Sequence, residues 1–184
     1  LKVTLKIHKT DNTFCTVSSE HGGTLSFDIK QPLKISATQW ENYILGVVDG
    51  LKKKRPGQVG GFDCDISSKL PIGAGISSSA ALECGLAKGL NSLFDLGLED
   101  IEIIEISRIA EHNFVGTKCG VMDQFAVTMG QFNKLILLNC ESLEHHLIDA
   151  DFSLYKIILL NSNVSHNLAS SEYNNRRAEC ELAL

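Results

Sequence analysis

The densest chemical signal in the sequence is an eleven-residue string, Pro71-Ile72-Gly73-Ala74-Gly75-Ile76-Ser77-Ser78-Ser79-Ala80-Ala81. Two glycines and an alanine let the backbone approach a ligand closely. Three serines then lead into a strongly helical stretch. Backbone N–H groups at a helix N-terminus favour an anion, and phosphate is the usual one. The serine hydroxyls can add hydrogen bonds or bind a metal. The Walker A pattern is absent, because no Gly-Lys-Ser/Thr follows. The dinucleotide pattern G-x-G-x-x-G is absent too, since position 78 is Ser. The alternative is a tight strand-to-helix turn with serine N-caps.

Two carboxylates and a tyrosine extend the list. Asp123 closely follows Gly120, a point where a ligand can approach the backbone. Asp123 is a candidate general base, or simply the N-cap of the helix that begins there. Glu111 lies twelve residues earlier, near the end of a helical stretch. A carboxylate there opposes the helix dipole, and its hard oxygens suit Mg²⁺. The alternative is a surface carboxylate. His112 reads as a packed or solvent-facing residue and not as a ligand. Tyr173 pairs an aromatic face with a hydroxyl, which suits a sugar; its alternative is core packing. Arg176 and Arg177 are expected to pair along their own helix.

These groups need elements to hold them. Residues 1–7 alternate apolar and polar, the period of a half-buried strand. Two more strands are expected around Phe14–Val17 and Leu25–Ile29, with Gly22-Gly23 as the turn between them. Trp40, Ile44, Val47, Val48 and Leu51 recur at spacings of three and four, predicting a helix over 38–54. A short strand at 62–66 precedes the glycine-rich string. Helices follow at about 79–94, at about 100–114 (opened by Glu99-Asp100) and from near Asp123. Residues 134–139 and 155–162 are apolar runs that predict buried strands, and 168–184 an amphipathic helix. Strands dominate the beginning and helices the middle, which points to an α+β class in one domain over 1–184.

Composition narrows the function. The 184 residues carry a net charge of −5, which argues against nucleic-acid binding. The one basic run, Lys52-Lys53-Lys54-Arg55, is expected to be a solvated helix end. Six cysteines without a C-x-x-C pair predict buried free thiols in a reducing compartment. No apolar stretch reaches the roughly 18 residues of a membrane span and no leader is visible, so no membrane partner and a cytoplasmic location are expected. The chain begins at Leu1 and stops inside a helical stretch, which predicts a fragment.

The eleven-residue string resembles the phosphate-binding motif of the GHMP kinases, P-x-G-x-G-L-S-S-S-A, with Ile76 in place of the usual Leu. The Gly75-Ile76-Ser77-Ser78-Ser79-Ala80 string followed by Glu83 looks more like the galactokinase branch than the mevalonate branch. Cys119-Gly120-Val121-Met122-Asp123-Gln124-Phe125 resembles the segment that carries that branch's catalytic aspartate. The stretch from Asn163 to Arg177 resembles one containing a sugar-contacting tyrosine, and Trp40-Glu41-Asn42-Tyr43 a helix near the nucleotide. The resemblance implies a two-layer domain, a mixed sheet packed with helices as in ribosomal-protein domain 2. It implies ATP and Mg²⁺ as cofactors and galactose, or a related monosaccharide, as acceptor at C1. By that resemblance Pro71 to Ala80 and Trp40 bind nucleotide, Ser79 and Glu111 hold the metal, Asp123 is the base, and Gly120, Asp123 and Tyr173 face the sugar. Sibling kinases of N-acetylgalactosamine, arabinose or fucose, and a non-catalytic sensor, are the alternatives. The branch's N-terminal signature, G-R-x-N-L-I-G-E-H-T-D-Y, is not found, nor is a C-terminal lobe; both are expected as missing segments of the same enzyme. Without them the chain itself is expected to phosphorylate nothing measurable.

Overall fold

The computed structural model describes residues 2–70, 75–160 and 171–183. Pro71, Ile72, Gly73 and Ala74, the first four residues of the glycine-rich string, lie outside the described residues, as do residues 161–170.

Four strands form the main sheet: β1 (Val3–Lys9), β2 (Phe14–Ser19), β3 (Gly23–Asp28) and β4 (Phe62–Ser68), in the order β1-β4-β2-β3. The β1–β4 and β2–β3 pairs are antiparallel and β2–β4 is parallel. The sheet is therefore mixed. A parallel pair needs a crossover, and the chain between β2 and β4 supplies it with helix α1 (Gln39–Lys54). The alternation expected at the start is present: Val3, Leu5 and Ile7 pack against the core. In β4, Phe62, Cys64 and Ile66 are buried.

Helices α1, α2 (Ser78–Leu93) and α3 (Asp100–Ala110) form the second layer. Ile44, Val47, Val48 and Leu51 of α1 meet Leu86, Ala87 and Leu90 of α2, and Ile103, Ile106 and Ala110 of α3, in one core. The spacing of three and four that marks these residues in the sequence is the stripe each helix buries. Glu99 and Glu102 close a capping box at the start of α3, with the Glu99 N–H donating to Glu102 Oε2 at 3.1 Å. A second, smaller cluster joins Ile104, Val121 and Phe125 under α4 (Met122–Met129) and strand β5 (Lys134–Leu138).

Several expectations need correction. The helix expected over about 100–114 forms but changes type: α3 is α-helical to Ala110 and a π-helical turn, Glu111–Val115, continues it. The apolar run at 134–139 does form β5, but as half of a hairpin with β6 (His145–Asp149), and Leu135 and Leu137 are exposed. Residues 155–160 form no strand and are exposed. Apolarity in these runs marks surface without specifying what covers it. The basic run ends α1 with Lys53 and Lys54 exposed, as expected, and is in addition tied down: the Arg55 Nε donates to Leu96 O at 2.9 Å, and Lys54 pairs with Glu102 at 2.9 Å. All six thiols are free, but Cys140 and Cys180 are exposed and Cys119 partly so. Helix α5 (Ser171–Ala183) closes the described chain, and there Arg176 pairs with Glu179 and Arg177 with Glu181. Among the described residues no helix is long and apolar enough to cross a membrane.

Candidate functional site

The glycine-rich string enters α2 through two left-handed residues, Gly75 (φ 69) and Ser77 (φ 55). For serine this conformation is uncommon, and such outliers concentrate where a ligand is held. Ser77 is the N-cap residue, yet it makes no side-chain cap hydrogen bond. The alternative of a serine-capped turn is thus not what forms. Without a cap from Ser77, the first N–H groups of α2 are in the arrangement that suits a phosphate oxygen. Ser79 sits in this first turn, with Ala80 buried behind it.

Glu111 is not a surface carboxylate; it is 3% exposed. It begins the π-helical turn, and its carbonyl accepts from the N–H groups of Gly116 (2.8 Å) and Thr117 (3.0 Å). Single π-turns inside helices recur at functional sites. Burial pushes the Glu111 carboxyl above the usual range, a hydrogen bond from the Ser79 hydroxyl opposes that, and the Asp123 charge pushes up again. Ser79 of α2, Glu111 at the end of α3 and Asp123 in the first turn of α4 therefore share one site. The N-cap of α4 is Val121, so Asp123 does not cap that helix.

Glu83 is the residue that sequence reasoning underweighted. It lies one turn after Ser79 on the same face of α2, and it is fully buried. Neither of its oxygens has a hydrogen bond of good geometry among the described residues, although Glu111 and Gln124 lie beside it. Burial, then the Glu111 charge, raises the Glu83 carboxyl well above the ordinary value. Burial raises the Glu111 carboxyl as well as that of Glu83, and two adjacent buried carboxyls cannot both ionise easily, so the pair favours retaining a proton. The i,i+4 spacing from Ser79 was the available signal. Tyr43 of α1 borders the same pair; burial, then Glu111 and Glu83, pushes its hydroxyl up to about 12.

The remaining candidates are more dispersed. The indole of Trp40 packs where a side chain on Gly22 would stand, with carbon and nitrogen ring atoms 2.7–2.9 Å from that position, and its ring N–H is buried without a partner among the described residues. Gly120 faces open space: a Cβ there would meet nothing. His112 Nε2 lies 2.8 Å from Cys119 O, a packing role as expected. Tyr173 is 41% exposed on α5. Its neighbour Asn174 links that helix to the loop before α4: the Lys118 N–H donates to Asn174 Oδ1 at 2.9 Å, and Asn174 Nδ2 donates to Gly116 O at 2.8 Å.

The donor set for a metal can be tested on this geometry. Among the described residues no group of three or more His, Cys, Asp or Glu side chains could cage an ion. Mg²⁺ does not need one; it binds one or two protein oxygens and completes its shell with water and substrate phosphates. A serine hydroxyl and a buried carboxylate at a helix N-terminus fit that description.

The GHMP kinases N terminal domain matches residues 42–131, which hold Ser79, Glu111 and Asp123. Residues 42–131 are a GHMP kinase N-terminal domain. Galactokinase from Thermosipho africanus is 40% identical over 99% of this chain and 50% of its own length. Galactokinase from Clostridium tetani is 45% identical over 79% of this chain and 37% of its own. The crystal structure of Lactococcus lactis galactokinase, complexed with galactose, superposes on 100% of this chain and 48% of its own with a TM-score of 0.92 at 30% identity. Methanococcus jannaschii mevalonate kinase shares the fold, with a TM-score of 0.60 at 23% identity. The chain spans about half the length of the curated relatives it matches.

Proposed function

We propose that the chain is the phosphate- and metal-binding part of a galactokinase, which transfers the γ-phosphoryl group of ATP to the C1 hydroxyl of galactose. The observation that carries the reading is the convergence of Ser79, Glu111 and Asp123 from three helices beneath an uncapped, left-handed entry to α2. The likeness to the Lactococcus lactis enzyme over the whole chain supports the choice of sugar.

Phosphoryl transfer asks mainly for positioning and charge neutralisation. The backbone of the glycine-rich string, Pro71 to Ala80, would cradle the nucleotide phosphates, with Trp40 on the nucleotide side. Ser79 and Glu111 would hold Mg²⁺, which supplies charge neutralisation between the phosphates when bound. Glu111 is suited to this because a bound cation would offset the burial and the Asp123 charge that disfavour its ionised form. Asp123 accepts the proton of the C1 hydroxyl as that oxygen attacks the γ-phosphorus. The bond from the γ-phosphorus to the bridging oxygen breaks and ADP leaves. Gly120 leaves room for the sugar, and Tyr173 offers it a ring face. Buried free thiols fit a reducing compartment, so the cytoplasm is the proposed location.

The test uses a protein of the relatives' length that contains this sequence. Galactose is expected to be phosphorylated in preference to N-acetylgalactosamine, arabinose or fucose. Asp123→Asn is expected to keep sugar binding within about tenfold and to lower kcat at least about 100-fold. Near-normal turnover by that variant would sink the assignment of the base, and preference for another sugar would sink the choice of substrate.

A further inference from the structure

Between Glu111 and Asp123 the chain makes an irregular passage, from the π-helical turn through Gly116 to Val121 and into α4. Gly116 adopts a left-handed conformation (φ 85), and the Cys119 N–H closes back on Thr117 O at 2.9 Å. The conformation of this passage sets where Asp123 stands relative to Glu111. At its start it is held by the Glu111 carbonyl, and at Cys119 by the His112 ring. Its middle is held from outside, by Asn174 of α5.

The Asn174 contact has an exact donor–acceptor match. A side-chain amide presents one acceptor and one donor side, as a peptide group does. Here Oδ1 meets the Lys118 N–H at 2.9 Å and Nδ2 meets Gly116 O at 2.8 Å. The opposite rotamer of the amide would set donor against donor, so the network itself fixes the orientation. Two other asparagines use the same device locally: Asn42 on the Ser36 backbone, six residues away, and Asn91 on the Leu98 backbone, seven away. Asn174 instead reaches across 56 and 58 residues of sequence. A local clamp shapes a loop; this one ties two distant elements together. The next residue toward the N-terminus of α5 is Tyr173, which the proposed function places against the sugar.

We infer that Asn174 is a positioning residue: it locks the Gly116–Lys118 backbone to α5 and thereby sets Asp123 and Tyr173 in register with each other for transfer to the bound sugar. The kinase part of this rests on the proposed function; the clamp does not. Near-attack geometry is steeply distance-dependent, and a misplacement of about 1 Å can cost roughly 100-fold in rate. Both ends of the Asn174 amide are engaged by the loop backbone, so its loss acts through the loop.

Two measurements separate the parts. In the chain as it stands, amide hydrogen exchange is followed at Lys118 and across α3. Asn174→Ala is expected to speed exchange at Lys118 at least about tenfold while α3 keeps its protection. Asn174→Asp keeps the acceptor for the Lys118 N–H and loses the donor to Gly116 O, so its effect is expected to be smaller. In a protein of the relatives' length, Asn174→Ala is expected to lower kcat for galactose about tenfold or more and to leave KM for Mg·ATP within about twofold. Asn174→Asp is expected to recover part of that kcat. Unchanged Lys118 exchange in both variants overturns the clamp, and faster exchange with unchanged kcat overturns the positioning role. If the unaltered protein phosphorylates no sugar, the kinase reading fails and exchange alone decides the clamp.

Discussion

Gly46, in the middle of α1, faces the last residue of α3. A Cβ at Gly46 would stand 2.8 Å from Ala110 Cβ, 2.9 Å from Ala110 Cα and 3.2 Å from Ala110 O. Two of these are backbone atoms and the third is a methyl with no torsion to relieve it. Gly46→Ala must therefore push α1 and α3 apart. Overpacking of this kind costs about 1–3 kcal/mol, and the helix propensity of alanine offsets about 1 kcal/mol of it. With backbone as the obstacle the upper part of that range applies, for a net loss of about 1–2 kcal/mol. For a chain of this size the melting temperature is expected to drop by about 2–8 °C. Gly85, in α2, is the control. There a Cβ meets only Leu5 Cδ1, the far end of a flexible side chain, at 3.0 Å. Gly85→Ala is expected to be neutral or to stabilise by up to about 1 kcal/mol. The assay is thermal unfolding of the two variants beside the unaltered chain. Ala110 immediately precedes Glu111, so Gly46→Ala is also expected to raise the Mg²⁺ concentration for half-maximal rate in a full-length kinase, and Gly85→Ala to leave it alone. A Gly46→Ala variant that melts at or above the unaltered chain would refute the close packing of α1 on α3 and with it the route to Glu111.

Glu83 holds its proton above the ordinary glutamate value of 4.5 when folded and releases it near that value when unfolded. The folded state thus binds more protons in between, and its contribution to stability is present below the unfolded value and is lost as pH rises toward the folded one. Glu83→Gln keeps a neutral polar group and removes this slope. The variant is expected to gain on the unaltered chain in thermal melts as pH rises above the ordinary glutamate value of 4.5, and a difference that does not change with pH would show Glu83 ionised. Ser79→Ala and Glu111→Ala are each expected to raise the Mg²⁺ requirement of the full-length enzyme. Activity that falls with unchanged metal dependence would give the pair another role.

What was legible in the sequence is what is contiguous in it. The apolar stripes of α1 and α2 survive because burial against the sheet enforces the period that the residues already carry. The glycine- and serine-rich string stands out because a phosphate is bound by successive backbone groups, so its residues must be neighbours in the chain. Glu111 was half legible: a carboxylate late in a helix is a misfit with the dipole, and the misfit is resolved by burial beside Ser79. The π-helical turn beneath it leaves no local mark, since packing of Ala110 on Gly46 and the carbonyl contacts to Gly116 and Thr117 decide it. Strand β6 carries the polar pair His145-His146 and is exposed throughout, so no alternation announces it; its pairing with β5 does. The partnership of Glu83 with Glu111, and of Asn174 with the Gly116–Lys118 backbone, joins residues 28 and more than 50 positions apart. Residue type alone marks neither. A buried carboxyl becomes chemically particular only once a second one is folded against it, and an asparagine becomes a clamp only once a distant peptide turns its N–H and C=O toward the same side.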